Sequence, residues 1–225
     1  MGTLRKYRLK NSGCNIFFET GTGLGLSLGH AFENGNFTRL YSTEIHNPTA
    51  IRAQNIFRNI QSIEILNSDS ITALSKVLPT LDKDDNVLFF LDAHFPGEVS
   101  SEFEGYSHNI PSEKTLPLIN ELELISKLRP KSKDIIIIDD LKLYEDGPYA
   151  NGNISNDFAN IPAEMRSLHF VNSLFSDRTI LKDYKDEGYL IIKPNNSLFE
   201  LKELSQFYRF KRNMKKHIRT LIGQK

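Results

Sequence analysis

One cysteine, Cys14, stands among 225 residues, so no internal disulfide can form and a reducing compartment is expected. No sign of charge is in excess. Lys and Arg number 28 and so do Asp and Glu, which argues against a dedicated nucleic-acid binder, normally basic overall. No apolar run approaches the roughly 20 residues that span a bilayer. The first residues, Met1-Gly2-Thr3-Leu4-Arg5-Lys6-Tyr7-Arg8, lack the apolar stretch of a secretion signal, and Lys6 breaks the myristoylation pattern. A cytoplasmic location follows as the expectation. There is no internal repeat and no low-complexity segment. The remaining composition, 39% hydrophobic and 25% charged, suits one globular domain with a full core.

Against these absences stands one rich stretch, Phe17-Phe18-Glu19-Thr20-Gly21-Thr22-Gly23-Leu24-Gly25-Leu26-Ser27. An apolar strand ends on an acid, a glycine-rich turn follows, and an apolar helix begins. Glycines let such a turn bend sharply and bring backbone close to a ligand. A nicotinamide fingerprint would read G-x-G-x-x-G, with its acid at the end of the next strand. Here the last fingerprint position is Leu26, and Glu19 precedes the first glycine by two residues. A carboxylate there suits a ligand carrying an ammonium group and repels a pyrophosphate, which favours S-adenosylmethionine over NAD.

Short apolar runs alternate with helical patterns along the chain. Residues 15–20, 40–44, 63–66, 87–92 and 135–139 read as strands, several apolar on both faces as in buried parallel sheets. Helical spacing marks 26–34, 48–59, 70–78 and 113–128, with Pro48 suited to a first turn. Residues 179–185 and 189–193, around Asp186-Glu187-Gly188, read as a β-hairpin. The expected architecture is α/β, a doubly wound and mostly parallel sheet whose sites lie at the carboxyl ends of its strands.

Those ends are polar in a consistent way. Strand two ends in Glu44, which can accept both hydroxyls of a ribose, and Ile45 can pack on an adenine. Strand three ends in Asp69-Ser70, where Asp69 can accept the adenine amino group or simply cap the next helix. Strand four ends in Asp92-Ala93-His94 and strand five in Asp139-Asp140. Asp92, Asp139 and Asp140 at adjacent strand ends would repel one another unless protons or a cation neutralised them. Oxygen ligands suit a hard ion, Mg²⁺ or Mn²⁺. The plain alternative is that Asp140 caps the next segment. His94, two residues past Asp92, can take a proton from a hydroxyl held at such an ion. His30, His46, His108, His169 and His217 have no comparable setting and are read as structural.

These residues resemble the class I S-adenosylmethionine-dependent methyltransferases, and more narrowly the cation-dependent O-methyltransferases. Glu19-x-Gly21-x-x-x-Gly25-x-Ser27 is similar to the cofactor loop of the catechol type, in which the glycines approach the methionine part and the serine holds its carboxylate. Glu44-Ile45 before Asn47-Pro48 resembles that group's ribose segment, and Phe90-Leu91-Asp92 with Ile138-Asp139-Asp140 its metal acids. The resemblance covers about residues 15–140. It implies a seven-stranded Rossmann-like methyltransferase fold over residues 1–200, with cofactor contacts from Glu19, Gly21, Thr22, Gly23, Gly25, Ser27, Glu44, Ile45, Asp69, Ser70 and Asp92. After Asp92 the catechol type places a lysine base, whereas this chain has Ala93, His94, Phe95 and Pro96. That is closer to the macrocin-type sugar O-methyltransferases, with a histidine base near the metal, and implies a sugar or glycan acceptor. The loop 95–112, with Glu98, Glu102, Glu104, Tyr106 and His108, is read as a substrate lid. Binuclear ureohydrolases share the Asp-Ala-His word but need an aspartate where Pro96 stands. A rival from another class is a catalytically silent cofactor-binding partner subunit.

The last segment, 201–225, reads as a separate basic tail. From Phe207 onward it carries Arg209, Lys211, Arg212, Lys215, Lys216, Arg219 and Lys225 with no acid. Phe207, Phe210, Met214, Ile218 and Leu221 recur at helical spacing. Such a helix can lie on the anionic inner face of a membrane or dock on a partner protein, or its stripe can pack on the domain. An oligomer is open.

Overall fold

The computed structural model describes residues 4–94, 116–154 and 166–205. The loop read as a lid and the basic residues from 207 onward lie outside the described residues. In chain order the elements are β1 (Ile16–Thr20), α1 (Leu26–Asn34), β2 (Arg39–Thr43), α2 (Asn47–Phe57), β3 (Ile63–Leu66), α3 (Ser70–Val77) and β4 (Val87–Leu91). They continue with α4 (Leu118–Leu128), β5 (Ile135–Ile138), α5 (His169–Leu174), β6 (Arg178–Asp183) and β7 (Tyr189–Pro194). Each expected strand is present to within about two residues at its ends. The helix α5 has no counterpart in the sequence reading.

The seven strands form one sheet in the order β3-β2-β1-β4-β5-β7-β6. Pairings from β3 through β5 are parallel, while β7 runs antiparallel to both neighbours. The order reverses between β1 and β4, and the crevice at that switch point is where open α/β sheets bind ligands.

Alternation along the central strands sorts the core onto two faces. In β4, Val87, Phe89 and Leu91 pack with Ala73 and Leu74 of α3 and with Leu122 and Ile125 of α4. Leu88 and Phe90 point the other way, toward Leu28 and Ala31 of α1 and Ala53 of α2. Being apolar on both faces is what a central parallel strand covered by helices requires. On the second face Leu4, Tyr7, Leu9 and Phe199 complete the cluster. Residues 201–205, grouped with the tail in the sequence reading, pack here too. Tyr7 bridges Glu203, Arg8 N–H donates to Lys202 O at 2.9 Å, and Leu204 is buried.

The amino ends of β4 and β5, opposite the crevice, are clamped by charge. Asp134 is buried and receives Arg129 through Nε at 2.8 Å and Nη2 at 2.9 Å, a bidentate pair, while Val87 N–H donates to it at 2.8 Å. Removing one partner of a buried pair strands the other charge. Asp134→Ala is expected to lower unfolding free energy by about 3–5 kcal/mol, measured by urea denaturation. A loss below about 1 kcal/mol would mean the clamp is solvated.

Candidate active site

The parallel ladder continues one rung past each strand, which fixes where the acids stand. Glu44 N–H donates to Leu66 O at 3.0 Å, Asp92 N–H to Thr20 O at 3.1 Å, and Asp139 N–H to Leu91 O at 3.0 Å. All three acids therefore share one edge of the sheet.

The glycine turn crosses that edge. Gly21 has φ +84°, and a Cβ placed on it would lie 2.7 Å from the carbonyl oxygen of Asp92. Only glycine accepts both that backbone and that approach. The N–H groups of Gly21 and Thr22 donate to Thr43 O, each at 3.0 Å. Gly23 N–H donates to Glu44 Oε2 at 2.9 Å, and His46 N–H to Glu44 Oε1 at 2.9 Å. Both Glu44 oxygens are thereby aimed by backbone amides, and each keeps a lone pair. Gly25 begins α1 with φ +68°, and Ile45 is half-buried behind Glu44.

Glu19 is buried beneath this turn. Its Oε2 accepts from Ser42 Oγ at 2.7 Å and its Oε1 from Ser27 Oγ, while Thr22 Oγ1 meets Ser42 Oγ at 2.6 Å. Glu19 and Ser27 thus tie β1, β2 and the first turn of α1 together. The one proton of the Ser27 hydroxyl goes to Glu19. Burial pushes the Glu19 carboxyl up to about 7, against the two serine hydroxyls.

Asp69 caps α3, accepting from Thr72 N–H at 2.9 Å and Thr72 Oγ1 at 3.1 Å. Capping was one of its two sequence readings. Ser70 is buried at the start of the same helix, beside a residue that sequence reading missed. Glu121, in the first turn of α4, is only 1% exposed. Burial pushes its carboxyl up to about 7, partly offset by the hydroxyls of Ser70 and Thr20 beside it. Neither Glu121 Oε1 nor Thr20 Oγ1 finds a partner of good geometry among the described residues. A signal was available. Leu118, Glu121, Leu122 and Ile125 follow the i, i+3, i+4, i+7 spacing of a buried face, so the acid lies in the core stripe.

Sequence reading names Asp92, Asp139 and Asp140 as metal ligands; the candidate cluster among the described residues is Asp92, His94 and Asp140. Candidate ligand atoms of Asp92, His94 and Asp140 all lie within 4.8 Å of one another. His94 Nδ1 stands 3.4 Å from Asp92 Oδ1, and its Nε2 3.1 Å from Asp140 Oδ2. Asp139 lies just outside this set, its Oδ1 accepting the Asp140 N–H at 2.9 Å. Asp140 has φ +50°, a strained backbone for a residue with a Cβ. Its Oδ1 is buried with no hydrogen-bond partner among the described residues. A cation among Asp92, His94 and Asp140 would supply that partner, so the residues present fit a divalent ion.

Electrostatics agree with this reading. Burial, then the charges of Asp139, Asp140, Glu19 and Glu121, hold Asp92 well above the usual carboxylate range. Burial and Asp140 push Asp139 up to about 7. Burial disfavours a charged His94, but its hydrogen bond to Asp140 and the charges of Asp140 and Asp139 outweigh this and raise its pKa. Tyr144, buried near Glu121, Asp140 and Asp92, is also raised.

Glu19 gives a pH prediction away from the ion. Its folded pKa lies above its unfolded one, so its stabilising contribution is complete below about pH 4 and is lost as pH rises through about 7. Glu19→Gln keeps a neutral group of the same shape. Relative to that variant, the native chain is expected to lose up to about 3 kcal/mol of stability between pH 4 and 8, read from urea midpoints. A difference that does not change with pH would mean the Glu19 carboxyl is not raised.

No family model and no curated protein matches the sequence. Solved structures do match. The SAH-bound methyltransferase PaMTH1 of Podospora anserina aligns with a TM-score of 0.53 at 12% identity, covering 81% of this chain and 72% of that one. A Staphylococcus aureus protein titled as a caffeoyl-CoA O-methyltransferase aligns with a TM-score of 0.53 at 14% identity, covering 81% and 77%. A Clostridium thermocellum protein titled as an rRNA methylase gives 0.50 at 12%, covering 83% and 90%. At such identities the likeness speaks to the fold, and acceptors as unlike as these share it. The chain has the Rossmann-like methyltransferase fold.

Proposed function

We propose that this chain transfers a methyl group from S-adenosylmethionine to a hydroxyl, with a divalent ion at Asp92 and Asp140. The observation that carries the reading is the 2.7 Å approach of the Gly21 Cβ position to the Asp92 carbonyl. It makes the turn suited to a nucleoside cofactor and the acid cluster suited to an ion into one continuous site. The cofactor supplies a methyl group activated by its sulfonium. An ion, when bound, lowers the pKa of an acceptor hydroxyl and orients its oxygen.

The chain's own residues do the rest. Glu44, aimed by the amides of Gly23 and His46, accepts the ribose hydroxyls through its remaining lone pairs, and Ile45 packs on the adenine. Gly21 and Gly23 let backbone approach the methionine part, with Glu19, Ser27 and Ser42 holding the turn from below. With the ion held by the two carboxylates and not by His94, one nitrogen of the neutral imidazole accepts the proton that leaves the acceptor oxygen, while the other donates to the Asp92 or Asp140 carboxylate beside it. Positioning of two reactants in line supplies much of the rate. The acceptor class we propose is a sugar or glycan hydroxyl, supported by the Asp92-Ala93-His94 word where the catechol type has its lysine.

Turnover on a panel of sugars and glycans, with and without chelator, tests this. Excess chelator is expected to abolish methyl transfer and Mg²⁺ or Mn²⁺ to restore it, while affinity for the cofactor stays nearly unchanged. Asp140→Asn should behave like the chelated protein. His94→Ala with the ion present should lower turnover by roughly 10²–10⁴-fold, the usual worth of a general base. Full activity in chelator would make the acids structural, and full activity of His94→Ala would place the base elsewhere.

A further inference from the structure

Glu121 is a buried acid that the proposed reaction leaves without a task. It stands in the first turn of α4, in the stripe of Leu118, Leu122 and Ile125 that packs against α3. A helix that follows a parallel strand begins at the carboxyl edge of the sheet, so its first turn lies beneath the candidate site. Alternation along β1 turns Phe17 and Glu19 toward α1 and α2, and Phe18 and Thr20 toward α3 and α4. Glu121 therefore approaches the end of β1 from the face opposite Glu19.

The surroundings of Glu121 supply no positive charge. The hydroxyls of Ser70 and Thr20 lie beside it, and both residues are buried. Among the described residues no Lys, Arg or His pairs with it, and Glu121 Oε1 has no hydrogen-bond partner. The neighbouring acids differ in this. Glu19 accepts from Ser27 and Ser42, Glu44 from two amides, and Asp139 from the Asp140 amide. One residue separates Glu121 from the candidate ion ligands, because the carbonyl of Thr20 accepts the Asp92 N–H at 3.1 Å. Tyr144 is buried after β5; burial, then the charges of Glu121, Asp140 and Asp92, keep its phenol neutral. After burial, Asp139, Asp140 and Glu19, Glu121 is also among the charges that oppose ionisation of Asp92. A charge with that effect favours a cation at the same place.

We propose, on the reading that a divalent ion binds at Asp92 and Asp140, that Glu121 serves that ion as an outer acid. It touches no ion. Its carboxylate, buried behind Thr20, tightens the hold of the two aspartates on the cation. The same charge acts twice as strongly on Mg²⁺ or Mn²⁺ as on a monovalent ion, so it favours the divalent one. A neutral carboxyl that merely bonds the two hydroxyls would have none of this effect, and an amide of the same shape would replace it without loss.

Calorimetry with Mn²⁺ alone, on the full chain without cofactor or acceptor, tests the proposal above about pH 7, where the Glu121 carboxyl ionises. Glu121→Gln is expected to weaken Mn²⁺ binding by about 10–100-fold, the usual worth of a group supporting a metal ligand. Glu121→Leu, apolar like the rest of its stripe, is a second neutral variant and should show the same loss. Glu121→Asp keeps the charge and should recover most of the affinity. Urea midpoints identify the variants that fold. Native-like Mn²⁺ affinity in a folded neutral variant would overturn the proposal and leave the ion site standing. So would a loss in Glu121→Asp as large as in Glu121→Gln, which would make Glu121 a packing residue. A native chain that binds no Mn²⁺ would remove the ion reading and this proposal together.

Discussion

Asp92, Asp139 and Asp140 stand at the carboxyl ends of two neighbouring parallel strands, where the charges of Asp139 and Asp140 oppose ionisation of Asp92 and the charge of Asp140 opposes that of Asp139. The last rungs of the ladder hold Asp92 and Asp139 in register, so backbone movement cannot relieve the crowding. Only protons, an imidazolium or a cation can. His94, raised in pKa between two of the three, and Asp140 Oδ1, without a partner among the described residues, are two signs of the same demand for positive charge. Glu19 below the turn and Glu121 on the opposite face extend that demand to both sides of the sheet.

Such a site is expensive to hold together, and the fold divides the work between its two edges. At the amino edge Asp134 is paired with Arg129 through two bonds and accepts from the Val87 amide, which makes a rigid clamp. At the carboxyl edge the acids outnumber the cations among the described residues, the turn is built on positive-φ glycines, and Asp140 has a strained backbone. Local strain and unmet charge at one edge persist because the rest of the sheet over-determines the geometry.

Much of this was legible in the sequence because central parallel strands must be apolar on both faces, and Phe17-Phe18, Val87–Leu91 and Ile135–Ile138 are. The carboxyl-end acids followed from the strand ends. Less legible was how each acid spends its oxygens. Asp69 and Glu44 both follow strands, yet one caps α3 through Thr72 and the other accepts two amides from loop residues. That difference arises from loop backbone that periodicity does not encode. Asp139 and Asp140 are adjacent in sequence, but Asp140 has a left-handed backbone, Asp139 Oδ1 accepts the Asp140 N–H, and His94 pairs with Asp140. Glu121 was hidden because an acid in a helix reads as a solvated face unless its phase is checked against Leu118, Leu122 and Ile125.

The central claim is that the glycine turn and Glu44 bind the nucleoside cofactor beside the acid cluster. Calorimetry with S-adenosylhomocysteine in chelator isolates that claim from metal and acceptor. One site per chain is expected, weakened by about 1.5–3 kcal/mol in Glu44→Ala, the scale of hydrogen bonds to a charged group, and unchanged in Asp140→Asn. Binding of NAD with none of the thioether, or affinity indifferent to Glu44, would contradict it.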